Sequence, residues 1–184
     1  MPNVCGTIVF HGKDGMTPFQ LAKIVNWAGT LKTRKRLQKV VYLLQSSGAP
    51  IKADYTLHHY GPYASDVAHL TDQMVQTGLL VEQEESNMIG KQFSYKLSAA
   101  AAQQLAELEK KPEMIAPFAP FEATAKKLIN ADLKILEIAS TVAYFHKQGK
   151  TWTEAVQCAA QFKSIPADGQ LMRGATELAR GLMN

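Results

Sequence analysis

Histidines, cysteines and one basic run are the residues of this 184-residue chain whose types could do chemistry. His58 and His59 are adjacent, so on an extended segment they face opposite sides and cannot chelate one ion together. His11, His69 and His146 stand at no spacing to Cys5 or Cys158 that fits a zinc site. No nucleophile with a base and no working pair of carboxylates accompanies them. The sequence therefore reads as a non-enzymatic protein with no catalytic residue, no metal and no cofactor. Residues 12–15 (GKDG) form a turn and lack the spacing and Lys-Ser/Thr ending of a phosphate loop. Two groups remain as candidates for binding. Arg34, Lys35, Arg36 and Lys39 supply the positive charge that a phosphate backbone needs. Tyr60 and Tyr63 flank Gly61-Pro62 and offer either a structural corner or an exposed aromatic contact.

These residues need elements to hold them. Thr17 and Pro18 open a helix with Leu21, Ile24, Val25 and Ala28 inward, and Gly29 ends it. Thr33 caps a second helix, with Leu37, Val40, Val41 and Leu44 as its buried stripe and Gly48 then Pro50 as its stop. Arg34, Lys35 and Lys39 lie off that stripe and are expected in water, with Arg36 at its edge. Residues 55–60 alternate as a short strand does. Ser65 is expected to cap a third helix burying Val67, Leu70, Met74 and Val75, and Gly78 closes it. Residues 79–97 read as a β-hairpin with an acidic tip at Glu84 and Glu85. Ser98 caps an Ala-rich helix. Residues 7–10 are a candidate strand.

The expected fold class is mainly α with a small β-hairpin: a winged-helix-like domain over residues 17–111, a Pro-rich linker over 112–121, and a C-terminal helical part over 122–184 packed on the first. In that last part, helices are expected over 132–147, from Thr151 to Phe162, and from an Asp168 cap onward. Met114, Ile115, Phe118 and Phe121 in the linker are candidates for lining a partner groove or an oligomer interface.

Composition adds bounds. Apolar residues make up 46% and charged residues 20%, an ordinary globular balance. Two distant cysteines suit a reducing compartment, and no stretch reaches the ~18 apolar residues of a membrane span. The N-terminus lacks the basic start of a signal peptide. A cytoplasmic protein that does not enter the membrane is expected. The net charge of +4 divides unevenly: +7 over residues 1–52, −5 over 53–121 and +2 over 122–184.

The stretches RLQKVVYLLQSSG and LHHYGPYASDVAHLTDQMVQTGLL resemble the Lys-Leu-x-Lys-Leu-x-Tyr helix and Tyr-Gly-Pro turn of the Panacea domain, and more closely the related YwgA-type proteins of bacteria and archaea. The run from LEIASTVAYFHKQGK to ARGL is similar to the second group as well. The resemblance implies a winged-helix-like fold with extra helices. It also implies a regulatory or protein-interaction role, antitoxin-like or adaptor-like, with an unidentified protein partner or a homodimer. It brings no catalytic residue, and the acidic, Lys-poor middle of this chain departs from the pattern.

The alternative is a transcriptional regulator docking DNA through the basic helix 33–47. Against it, the usual reading helix contains Asp66 and Asp72 and no Lys or Arg.

Overall fold

A computed structural model describes residues 15–87 and 90–183. The candidate strand at 7–10, Cys5 and His11 lie outside those residues.

Helix α1 (Pro18–Ala28) starts in a capping box: Thr17 Oγ1 accepts from the Gln20 N–H at 3.3 Å, and the Thr17 N–H donates to Gln20 Oε1 at 2.9 Å. A two-residue strand, β1 (Leu31–Lys32), leads to Thr33, which caps α2 (Arg34–Ser46) by accepting from the Arg36 N–H at 3.0 Å. Thr33 does this at φ +70°, a strained setting for a β-branched residue. Its own N–H donates to the Phe93 carbonyl at 2.8 Å, which ties the start of α2 to the sheet.

The short hairpin β2 (Thr56–His58) and β3 (Gly61–Tyr63) turns through His59 and Tyr60. Helix α3 (Ser65–Gln76) follows. Ser65 is its first residue rather than its cap. The cap position is Ala64, whose methyl side chain can cap nothing; Gln38 holds its backbone N–H and carbonyl and fixes it there. Strands β4 (Leu80–Asn87) and β5 (Gly90–Leu97) pair antiparallel from Leu80↔Leu97 onward, and β1 joins β5 at Leu31↔Tyr95, giving the order β1-β5-β4. Ser98 caps α4 (Ala99–Leu108) as expected.

Residues 112–121 contain α5 (Pro112–Ile115) and a 3₁₀ turn (Ala119–Phe121), with Phe118 buried between them. Helix α6 (Glu122–Asn130) was not anticipated as a separate element. Asp132 caps α7 (Leu133–Lys147), and Thr151 caps α8 (Trp152–Lys163) in a second capping box. At α9 (Gln170–Leu182) the cap position is Gly169, not Asp168; the Asp168 backbone carbonyl accepts from Arg173 instead. The protein is thus mostly helical with one small antiparallel sheet and a second, shorter hairpin.

Helix α2 is the centre of the packing. The stripe of Leu37, Val40, Val41 and Leu44 is buried as the periodicity predicts. Gln38, Lys39, Tyr42 and Leu43 on other faces are buried too, because α7 and β3 cover the side that the sequence pattern leaves polar. Two glutamines seven residues apart then pin the incoming chain to α2. Gln38 bonds the N–H and carbonyl of Ala64 at 3.0 and 2.9 Å, and Gln45 bonds those of Ala53 at 3.0 Å each. Each side chain satisfies a buried backbone donor and acceptor at once, as a neighbouring strand would. The result is a fixed path for residues 53–64 across the helix, ending in the Tyr60–Tyr63 corner.

Candidate functional site at the Tyr60–Tyr63 corner

Gly61 sets the corner. Its φ is +95°, which L side chains rarely adopt, and a Cβ placed there would sit 2.7 Å from Thr141 Oγ1. The turn therefore lies directly on α7. Beneath it, Lys39 is 2% exposed and its Nζ donates to the Pro62 carbonyl at 2.6 Å. The placement of Lys39 in water is thus corrected: the turn and α7 close over it.

The ammonium is not alone. Lys163, at the end of α8, donates to Glu137 Oε1 at 2.7 Å and reaches the His59 carbonyl at 3.4 Å. Lys35 donates to the other oxygen, Glu137 Oε2, at 3.3 Å. Three lysines from two helices thus surround one carboxylate on a third. Burial pushes the Lys39 amine down to about 8, helped by the charge of Lys163 and of Lys35 and opposed by that of Glu137. Burial also works against the Glu137 charge, but its hydrogen bond to Lys163 and the charges of Lys163 and Lys35 outweigh this and hold the carboxyl below its usual range.

A cleft of about 340 Å³ opens beside this cluster, lined by Lys35, Leu37, Lys39, Tyr60, Tyr63 and Ala68 among others. Tyr60 stands at 55% exposure with its ring 3.8 Å from Lys35 Nζ, a cation–π contact that orients it without burying it. Tyr63 is partly buried and packs on the His58 ring at 4.9 Å. His58 and His59 are both exposed.

The basic run does not form a free row of cations. Arg34 bonds Glu82 at 2.8 Å and the Tyr95 hydroxyl at 2.7 Å, with Asp72 at 3.4 Å. The bond to Glu82 raises its pKa despite partial burial. Arg36 donates to the carbonyls of Ile129 and Ala131 at 2.8 and 2.5 Å, closing the C-terminal end of α6. Lys35 and Lys39 belong to the cluster just described.

The linker candidates separate. Phe118 is 2% exposed and stacks on Trp27 at 5.2 Å, so its ring is a core contact between α1 and the second half. Phe121 is partly buried 6.4 Å from Phe118, and Met114 and Ile115 pack partly buried on the same core. Glu137, Thr141 and Lys163 were missed at the sequence level. They lie some hundred residues from α2, and no local pattern links them to it.

Among the described residues, no three His, Cys, Asp or Glu side chains gather in a metal-binding arrangement, and no helix is long and apolar enough to cross a membrane. No protein-family model matches the chain. The chain is similar to "Uncharacterized protein YwgA" of Bacillus subtilis (strain 168), at 27% identity over 128 residues that span 68% of this chain and 72% of that protein. This agrees with the YwgA-type resemblance, and the relative's name assigns no activity.

Proposed function

We propose that the chain is a non-enzymatic interaction module whose partner docks at the Tyr60–Tyr63 corner. The observation that carries the reading is Tyr60, exposed at the mouth of a preformed cleft. Exposed aromatic rings beside a pocket are favoured anchors of protein interfaces. The backbone under it is held rigid by Gln38, Lys39 and Gly61, so a partner meets a preorganised surface.

The scaffold reading is winged-helix-like. Three helices with a short strand after the first, a final hairpin, and the order β1-β5-β4 fit that expectation. The antitoxin-like or adaptor-like form of the role follows from the Panacea resemblance alone and is the narrower version of the proposal. DNA docking through helix 33–47 has less behind it, because Arg34, Lys35, Arg36 and Lys39 each already have a partner within the chain.

Affinity capture from a lysate of the source cell tests the proposal. A protein retained by the wild type should be lost from a Tyr60→Ala, Tyr63→Ala double variant and kept by a Glu113→Gln control on the exposed side of α5. Equal retention by the double variant would remove the corner from the interface.

A further inference from the structure

The cluster under the corner carries more positive charge than its own carboxylate balances. Lys35, Lys39 and Lys163 are three ammonium groups around Glu137, a formal +2. Glu137 bonds Lys35 and Lys163, while the acceptor that Lys39 finds among the described residues is neutral, the Pro62 carbonyl. A buried ammonium has three donors and a large desolvation cost, and it is most stable against a full negative charge. Lys35 and Lys39 both line the cleft, and much of the remaining lining is apolar or aromatic: Leu37, Tyr60, Tyr63 and Ala68. A wall of surplus positive charge joined to an apolar chamber complements an anion with an apolar body.

We propose that this cleft is a binding site for a small organic monocarboxylic acid, its carboxylate held by Lys35 and Lys39 and its body packed against Leu37 and Tyr63. The volume of about 340 Å³ is at the lower end of ligand pockets, which sets the size as small. With Leu37, Tyr60, Tyr63 and Ala68 along much of the rest of the cleft, one anionic head on an apolar body fits it. Asp72 on the cleft lining is paired with Arg34, which leaves Lys35 and Lys39 as the cations that face a ligand. This site shares Tyr60 and Tyr63 with the partner-docking corner, but acid binding is read on the free protein and does not require a partner.

Isothermal titration with 3-phenylpropionate and hexanoate, each beside its neutral amide, tests the proposal on the whole protein. Saturable binding of an acid is expected, with its amide weaker by about tenfold or more, the effect of losing a charge-assisted pair. Lys35→Gln, whose side chain is about a third exposed in the wild type, should fold and weaken acid binding by a similar factor. Affinity should also fall as pH rises past the Lys39 value of about 8. The charged or titratable groups facing that amine are Lys35, Glu137 and Lys163 in the cluster, and Arg34, His58, Tyr60, Tyr63 and Asp72 around the cleft. No saturable binding of either acid up to about 10 mM overturns the proposal. So does equal binding of acid and amide, or unchanged affinity in Lys35→Gln. Binding only of an acetyl-Gly-Gly-Phe peptide with a free C-terminus would overturn it too, giving the cleft to a chain terminus instead. Loss of partner capture without loss of acid binding would leave this site standing, and the reverse would leave the partner reading standing.

Discussion

Lys39 Nζ lies 2.6 Å from the Pro62 carbonyl, and this single bond joins the central helix to the turn that shapes the candidate site. The amine is buried where its charge is poorly compensated, so its proton is held less tightly in the folded state than in the unfolded chain. Its value falls from 10.5 to about 8. A base with a lowered folded value destabilises the protein below that value and ceases to do so above the unfolded one. Stability should therefore rise between about pH 8 and 10.5, by at most about 3 kcal/mol. Lys39→Met removes this titration. Urea unfolding of both proteins across that window should show the wild type gaining on the variant as pH rises, and a constant gap would contradict the account.

Gly61→Ala should destabilise the protein by about 1–3 kcal/mol or more, from the positive φ and the 2.7 Å approach to Thr141 Oγ1 together. Gly61→Ala combined with Thr141→Ala removes the clash and leaves the backbone strain, so it should recover part of the loss. Denaturant midpoints of the three variants measure this. No recovery in the double variant would place the whole effect in the backbone.

Gln38→Ala strips the partner from the Ala64 N–H and leaves the Ala64 carbonyl only the Ala68 N–H at 3.3 Å. One buried donor left unpaired and one acceptor weakened should cost about 1–3 kcal/mol. Hydrogen exchange at the Ala64 amide should accelerate more than at Ala53, which Gln45 holds independently.

Duplex DNA should bind weakly or not at all. The four basic residues of α2 are engaged by Glu82, Asp72, Glu137 and three backbone carbonyls, so few of their charges are free to displace the counterions of a phosphate backbone. Fluorescence anisotropy with a mixed-sequence duplex at about 50 mM salt measures it. Tight, steeply salt-dependent binding lost on changing Arg34, Lys35, Arg36 and Lys39 to Gln would restore the DNA reading.

Several helices were legible in the sequence because their caps and stripes are local. Thr17, Thr33, Ser98 and Thr151 each cap where their residue type and spacing predict. Ser65 and Asp168 did not, since in each case a contact with the preceding backbone set the chain path: Gln38 on Ala64, and Arg173 on the Asp168 carbonyl. Lys39 shows the larger limit. It lies across the helix from Leu37 and Val41, the side that an amphipathic pattern assigns to water. It is buried because α7, a hundred residues on, covers that side with Glu137 and Thr141. Tyr60 and Tyr63 were singled out by their place around Gly61-Pro62, and the cleft beside them, built from α2 and α3 together, had no signature of its own.

The most direct test of the proposed role places a photo-crosslinking amino acid at position 60 and, separately, at Gln103 on the exposed face of α4. Irradiation in the source cell, followed by mass spectrometry, should yield one discrete protein adduct from position 60 and none from position 103. Adducts from neither position, or the same adducts from both, would contradict a partner docked at the Tyr60–Tyr63 corner.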